Sequence, residues 1–339
     1  MRAVTSILLA ALAAACQGSP PPADPPAAPA ADATTRQPPA EMSHGEAPIG
    51  PAAAPDRAAD APARSTWRRH QVRMTTAHVR HQVAPGVAYD AWTFDSIVPG
   101  RALRVTVGDT VDFTLVNVSM MPHSMDFHAA EIAPDRAYRN VMPGDSIQFR
   151  FVARVPGAFM YHCGTAPVAA HIANGMYGAL IVDPATPRPR AREFVLVQSE
   201  FYMGEARGPD SVRAMAWDKV LNASPDYVVF NGVGSRYATQ PIPVDVGEPL
   251  RLFVVNAGPN RVSAFHVVGA IFDRVYADGF GRPLEGIQTW NVPVGGGAVF
   301  DLRLVEQGLY PFVSHAFADA TKGAVGVFRA GAATGAMAH

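Results

Sequence analysis

An internal repeat is the sequence feature that most constrains how this chain can fold. Two pairs of landmarks recur with unchanged spacing inside each pair: Val107-Gly108-Asp109 with Asn117 returns as Val246-Gly247-Glu248 with Asn256, and Gly144 with Gly157 returns as Gly295 with Gly308. Self-similarity of this kind indicates two copies of one structural unit. At 339 residues, the chain is long enough to hold both copies.

Both copies have the sequence pattern of β-structure. After Thr66, short runs of β-branched and aromatic residues are interrupted by Gly, Pro and Asn at intervals of roughly eight to twelve residues. No long stretch shows a competing helical periodicity. We therefore predict an all-β chain with two tandem Greek-key β-sandwich domains, at 67–184 and 192–330, joined by the proline-rich segment 184–190.

The N-terminal part of the chain has a different composition. Arg2 precedes an apolar stretch from Val4 to Ala15 that ends in small residues before Cys16, which is typical of a secretory signal peptide at 1–16 and is too short to span a bilayer. Cys16 is either lipidated, as in bacterial lipoproteins, or lies close to an ordinary cleavage site. Residues 17–66 are rich in Ala and Pro, which predicts a disordered tether. We expect an exported protein, either periplasmic or anchored to the outer membrane as a lipoprotein.

The first copy contains a set of metal ligands that the second copy lacks. Cys163, His171 and Met176 lie within fourteen residues, and His123 lies upstream. A thiolate, two imidazoles and a weak thioether select copper over zinc, because this set accommodates both copper oxidation states. The seven residues between Cys163 and His171, and the four between His171 and Met176, match the ligand loop of cupredoxins. Taken singly, each residue is more often a packed core residue. Together they predict a blue, type 1 copper site for electron transfer.

A second site is indicated by the neighbour of the cysteine. Successive side chains of a β-strand point to opposite faces, so His162 and Cys163 cannot reach the same metal if the segment is extended. The same alternation separates His123 from Asp126 and His128. We therefore predict that His128 and His162 face a second metal, with Asp126 beside them. Electron delivery over a distance on the order of 10 Å favours copper there too, because zinc is redox-inert.

Two imidazoles leave this second site incomplete. The second copy offers His266 and His315, each in an apolar strand-like run, and one of them would be the third ligand while the other donates a proton. A site with three histidines keeps an open position for a substrate. Asp126 and His266 would then relay protons in a proton-consuming reduction. Four other histidines have no partner pattern and no predicted role: His70, His78, His81 and His339.

These motifs resemble those of a known family, the two-domain copper nitrite reductases. The resemblance covers about 260 residues across both copies and rests on three segments: Pro122-His123-Ser124-Met125-Asp126-Phe127-His128-Ala129-Ala130, Tyr161-His162-Cys163, and His171-Ile172-Ala173-Asn174-Gly175-Met176-Tyr177-Gly178. The motifs are specific, because an electron carrier with one copper has no need of the Asp126 and His128 pair or of His162 next to Cys163.

The resemblance implies tandem cupredoxin domains, a homotrimer, and two copper ions per chain. The implied residues are His123, Cys163, His171 and Met176 at type 1 copper, His128, His162 and the neighbouring chain's His315 at an interfacial type 2 copper, and Asp126 and His266 as the catalytic pair. Val268 would line the substrate pocket, where many relatives carry isoleucine. The implied reaction is the one-electron reduction of nitrite to nitric oxide, and the electron would come from a small cupredoxin or cytochrome c.

Two other functions stay open. A two-domain, laccase-like multicopper oxidase would need His-x-His pairs and a His-Cys-His motif, and neither occurs in the sequence. An electron-transfer cupredoxin with an inactive second site would bind one copper per chain. The formal net charge of -1 gives no indication of a nucleic-acid partner.

Overall fold

Twenty β-strands and five short helices make up the regular structure of the described residues. The computed structural model describes residues 59–207, 212–278 and 281–332. The elements of the first copy are β1 (Arg69–Ala84), β2 (Val87–Phe94), β3 (Gly100–Thr106), β4 (Thr110–Asn117), β5 (Asp126–Phe127), α1 (Pro134–Ala137), β6 (Ser146–Val152), β7 (Gly157–His162), α2 (Val168–Ala173) and β8 (Tyr177–Asp183). Those that follow are β9 (Arg192–Phe201), β10 (Met203–Arg207), β11 (Val212–Met215), α3 (Trp217–Leu221), β12 (Tyr227–Phe230), α4 (Arg236–Thr239), β13 (Ile242–Val244), β14 (Leu250–Asn256), β15 (Ser263–Val267), β16 (Arg274–Ala277), β17 (Thr289–Val292), β18 (Gly297–Leu302), β19 (Gly308–Ser314), α5 (Phe317–Ala320) and β20 (Val325–Ala330).

The strands form four sheets, and these confirm the all-β prediction. The first copy supplies most of a six-stranded sheet, in the order β10-β11-β2-β1-β4-β6, and all of a four-stranded sheet, β3-β8-β7-β5. The second copy forms two five-stranded sheets, β12-β9-β14-β18-β16 and β13-β20-β19-β15-β17. Two packed sheets in each copy make a β-sandwich.

Alternating burial shows which face of each strand packs in a core. In β4, buried and half-buried residues alternate, and Phe113 packs with Phe127 and Tyr161 of the four-stranded sheet. Burial of each such side chain contributes roughly 1.5–3 kcal/mol. All of β8 is buried, because Leu180 joins this first core while Ile181 joins a core shared with strands of the second copy.

The sequence repeat is also a repeat of strand register. Six residue pairs join β7 to β8 and six join β19 to β20, and they run from Gly157 with Val182 to His162 with Tyr177, and from Gly308 with Ala330 to Val313 with Val325. The asparagine at the end of β4 and its counterpart at the end of β14 both use the side-chain amide to bind two backbone carbonyls. Equivalent positions of the two copies can therefore be identified from these pairs.

The prediction of a disordered tether at 17–66 is wrong for its last residues. Residues 59–66 are described, and Ala59 is buried. Asp60 bridges to Phe194 in β9, and the Val195 N–H donates to the Ala59 carbonyl at 2.7 Å. β12 pairs only with residues 198–201 of β9. Residues 59–61 therefore supply hydrogen-bond partners to backbone groups in the first half of β9.

The boundary between the two predicted domains is crossed by one hairpin. β10 and β11 fall in the range 192–330, yet β11 pairs with β2 of the first copy. The described residues belong to one compact unit, and the division at 67–184 and 192–330 stays a prediction. The predicted signal peptide at 1–16, with Cys16, lies outside the described residues, as do residues 17–58 of the tether and His339. No helix in the described ranges is long and apolar enough to cross a bilayer.

Candidate metal centres

One sulfur and two nitrogen atoms converge in the interior of the first copy. His123 precedes β5, Cys163 directly follows β7, and His171 lies in α2. The Cys163 Sγ is 3.2 Å from the His171 Nδ1 and 3.9 Å from the His123 Nδ1, and the two Nδ1 atoms are 3.2 Å apart. No more than 1% of any of these three residues is exposed. We call this set the buried cluster.

Backbone hydrogen bonds hold the buried cluster together. The Ser124 N–H donates to the Cys163 Sγ at 3.3 Å. The Cys163 N–H donates to the Met176 carbonyl, and the Met176 N–H donates to the His171 carbonyl, both at 3.1 Å. The Met176 side chain is fully buried in the same core as Cys163. The backbone of Met176, the predicted fourth ligand, is therefore hydrogen-bonded to two of the other three ligands, Cys163 and His171.

Burial sets the protonation of the buried cluster. It lowers the pKa of His123 to about 2, helped by the nearby His171 and His78 rings, and it lowers the pKa of His171 to about 4. Burial also raises the pKa of the Cys163 thiol. The imidazoles are therefore neutral and offer lone pairs to a metal, whereas the thiol must lose its proton on binding. Two imidazoles, a thiol and a nearby thioether fit type 1 copper.

A second set of donor atoms lies on the other face of β7. Asp126 of β5 pairs with His162 of β7. The His128 and His162 Nε2 atoms are 3.0 Å apart, and the Asp126 carboxylate lies 3.8 Å from the His162 Nε2. His162 is 9% exposed, whereas His128 is exposed. We call these three residues the surface cluster.

The remaining nitrogen of each imidazole in the surface cluster binds a carbonyl. The His162 Nδ1 donates to the Cys163 carbonyl at 2.9 Å, and the His128 Nδ1 donates to the Gly295 carbonyl at 2.9 Å. Because a carbonyl only accepts, each Nδ1 holds the proton and each Nε2 is free to bind a metal, as is usual for metal-binding histidines. Burial lowers the pKa of His162, which favours the neutral ring. The bond from His162 also links the two clusters through the peptide group of Cys163.

The two predicted histidines of the second copy form a separate pair. The His266 and His315 ring centroids are 5.4 Å apart. The His266 Nδ1 donates to the Gln288 carbonyl at 2.6 Å. His315 is exposed, and so is Val268, two residues after His266. Among the described residues, neither histidine joins the surface cluster. One chain therefore brings two imidazoles, not three, to that cluster.

Two residues without a predicted role contact the buried cluster. The Trp92 ring is T-shaped to His171 at 5.0 Å, and His78 stacks on Trp92 at 5.5 Å while lying edge-on to His123 at 5.7 Å. His78 and Trp92 are paired across β1 and β2, far from the ligands in sequence. No local spacing marks them, because only long-range strand pairing brings them here. His70 binds Asp109 and His81 binds the Gly232 carbonyl.

Comparison with known proteins links this arrangement to one family. A family model described as multicopper oxidase matches residues 75–187. The chain is 42% identical over 262 residues to the copper-containing nitrite reductase of Neisseria gonorrhoeae, covering 76% of this chain and 67% of the relative. It is 32% identical over 253 residues to the copper-containing nitrite reductase of Alcaligenes xylosoxydans xylosoxydans, covering 68% of this chain and 76% of the relative.

The structural comparison agrees with the sequence comparison. The solved copper nitrite reductase from Nitrosomonas europaea superposes with a TM-score of 0.72 at 37% identity, covering 78% of this chain and 94% of that chain. The match includes both copies of the repeat, since it extends over more residues than either copy contains. The chain belongs to the copper-containing nitrite reductase family.

Proposed function

We propose that this chain is a copper enzyme that reduces nitrite to nitric oxide by one electron, with uptake of two protons and release of water. Membership of the copper-containing nitrite reductase family supports this function, and the relative from Neisseria gonorrhoeae is 42% identical to this chain. The observation that carries the proposal is that adjacent residues join the buried cluster to the surface cluster. A simple electron carrier would use only the first of these.

The buried cluster is the proposed type 1 site. Its ligands are His123, Cys163 and His171, with Met176 as the weak fourth ligand. Copper at this site and at the surface cluster would supply one-electron redox chemistry. The chain itself keeps the imidazoles neutral and excludes water from the first site, because the ligands are buried.

The surface cluster is the proposed type 2 site, completed by His315 of a neighbouring subunit. His128 and His162 face the metal in this proposal. Exposed apolar side chains near His266 and His315 support a subunit contact there: Val262, Val268, Ile271 and Phe317. A chain that presents one half of a site on each of two surfaces makes a head-to-tail contact, which closes into a ring such as a homotrimer. Each chain would then hold two copper ions.

Asp126 and His266 are the proposed proton donors. The Asp126 carboxylate lies 3.8 Å from the His162 Nε2, so it would meet a substrate bound beside that nitrogen. His266 binds the Gln288 carbonyl through Nδ1, which leaves its Nε2 to exchange a proton. Val268 would bound the substrate pocket from the same strand end.

A small cupredoxin or cytochrome c is the proposed electron donor, and it would dock near the buried cluster. Three exposed apolar residues support that position: Met120, Met142 and Val168. Val168 begins the helix that carries His171, and Met142 follows the residue whose backbone pairs with His123. An apolar surface close to the first site shortens the path of the electron.

Export is proposed from the sequence of the N-terminus. The segment 1–16 would be a signal peptide, and Cys16 would be the site of a lipid anchor if the leader is of the lipoprotein type. The protein would then be periplasmic or held at the outer membrane, with the Ala/Pro-rich segment as a spacer.

The test is anaerobic production of nitric oxide from nitrite by the copper-loaded protein with a reduced artificial donor. We expect turnover, two copper ions per chain and a type 2 signal in electron paramagnetic resonance. One copper per chain without that signal would favour the electron carrier instead.

Asp126→Asn sharpens the test. Loss of the proton donor should reduce turnover by about a hundredfold or more, while the blue absorption stays, because Asp126 is outside the buried cluster. Asp145→Asn, on an exposed loop of the same copy, is the matched control and should keep full turnover. Equal turnover in both variants would reject the role of Asp126.

A further inference from the structure

The second copy repeats backbone hydrogen bonds of the buried cluster, but it lacks the ligand side chains of that cluster. The Ser314 N–H donates to the Ala324 carbonyl at 3.1 Å, and the Ala324 N–H donates to the Asp319 carbonyl at 3.1 Å. In the first copy, the residues of the proposed type 1 site are joined by the same two bonds at the same distances. Since β19 and β20 share the register of β7 and β8, these residues occupy equivalent positions.

The loop before β15 corresponds in the same way to the loop before β5. His123 bridges to Val141, and Ser263 pairs with Val292. The carbonyls of Val141 and Val292 each accept a bond from the repeated asparagine of their own copy. Position by position, His123, Cys163, His171 and Met176 thus correspond to Ser263, Ser314, Asp319 and Ala324.

These replacements remove the copper ligands but leave the positions buried. Ser263 and Ser314 are 0% exposed, and within the described part of the chain their Oγ atoms have no hydrogen-bond partner. Hydroxyl and carboxylate oxygens are not the soft donors that select copper. In the first copy, a metal would connect the loop before β5 with the end of β7 and with α2. Another interaction has to make this connection in the second copy.

Arg261 makes the connection. It corresponds to Met121, because the carbonyl of each accepts a bond from the repeated asparagine. The Arg261 Nε donates to both carboxylate oxygens of Asp319, at 3.1 and 3.2 Å. The backbone N–H of Arg261 donates to the buried Glu200 carboxylate at 2.6 Å. The Arg261 guanidinium, from the loop before β15, therefore binds the Asp319 carboxylate of α5. Asp319 occupies the position in the second copy that corresponds to His171 in the first.

We infer that the ion pair of Arg261 and Asp319 replaces the metal as the cross-link of the second copy, and that it thereby positions His315 and His266. His315 lies between β19 and α5, and its N–H donates at 2.6 Å to the Ala264 carbonyl, two residues before His266. Loss of the ion pair would release α5 from the loop before β15. The inference rests on the proposed function of the two histidines, and it makes Arg261 and Asp319 positioning residues.

The test compares type 2 copper affinity in the assembled, copper-loaded protein and in three variants. Asp319→Asn and Arg261→Met should each raise the dissociation constant of the type 2 copper about tenfold to a hundredfold, while the blue absorption stays unchanged. Arg261→Lys keeps the cation and should stay close to the wild-type affinity. Amide hydrogen exchange at His315 should accelerate in the first two variants and not in the third.

The pair of Arg274 and Glu285, 3.5 Å apart on the surface of the same copy, provides a control. Glu285→Gln should leave copper affinity and His315 exchange unchanged. A merely structural role for Asp319 would lower the melting temperature of Asp319→Asn without changing either readout, and that result would overturn the inference. Neither readout needs nitrite, so a wild-type protein that fails to reduce nitrite would refute the proposed function and leave this test valid.

Discussion

Metal binding to the buried cluster is expected to release one proton per ion near neutral pH. Burial raises the pKa of the Cys163 thiol above its ordinary value of 9.0, so the thiol is protonated before metal is added. His123 and His171, with pKa values of about 2 and about 4, have no proton to lose. The thiolate is the form that binds a metal. The proton released is therefore that of Cys163.

The pH dependence of the metal affinity of the buried cluster follows from the release of this one proton. Because binding releases a proton, the affinity should rise with pH, by about tenfold or 1.4 kcal/mol per pH unit. This slope should hold between about pH 5 and pH 8, where only the thiol changes protonation. Below about pH 4, His171 also takes up a proton, and the slope should approach two protons per ion.

Cobalt(II) is a suitable probe, because it is stable to the thiol and its bond to a thiolate absorbs visible light. The variant His128→Ala removes a ligand of the surface cluster, so that the signal comes from the buried cluster. Proton release is measured at pH 7 with an indicator dye in weak buffer, and the wild type is titrated in parallel. Release of close to zero protons per metal ion would mean that the thiol is already ionised, and release of two protons per ion would mean that a histidine is charged. Either result would refute the reasoning.

Three further variants test separate contacts. Cys163→Ala should abolish the blue absorption and donor-driven turnover together; a retained blue band would contradict the proposed type 1 site. His315→Ala should lose type 2 copper while the blue band stays, as measured by metal analysis and electron paramagnetic resonance, and full retention of that copper would reject His315 as a ligand. Arg104→Ala should lower the free energy of unfolding in urea by about 3 kcal/mol, because among the described residues Asp183, which is 1% exposed, then keeps only the ion pair with Arg64; a loss of less than about 1 kcal/mol would contradict this expectation.

The sequence was most informative where the geometry is local. Alternation along a strand depends only on neighbouring residues, and it predicted that His162 and Cys163 face different sets of donors. The structure has Cys163 in the buried cluster and His162 in the surface cluster. The repeat was visible for a similar reason. Gly108 and Gly144 of the first copy, like Gly247 and Gly295 of the second, have a positive φ, which favours glycine, and the asparagine of each copy binds two backbone carbonyls.

Contacts between distant parts of the chain could not be predicted in this way. Trp92 and His78 reach the buried cluster through strand pairing, and the Gly295 carbonyl reaches His128 from the second copy. The residues around Ala59 have the composition of a tether, yet they add to β9. Their order comes from backbone hydrogen bonds to the free half of that strand, and side-chain composition carries no information about such bonds.

The single peptide bond between His162 and Cys163 also limits how β7 can change in length. An insertion or deletion of one residue inside this strand would exchange the two faces, sending the imidazole to the interior and the thiol to the surface. Length changes should therefore be excluded from β7 in homologous chains, even where individual residues vary. They should accumulate in segments such as 131–139, where an added residue leaves every ligand on its own face.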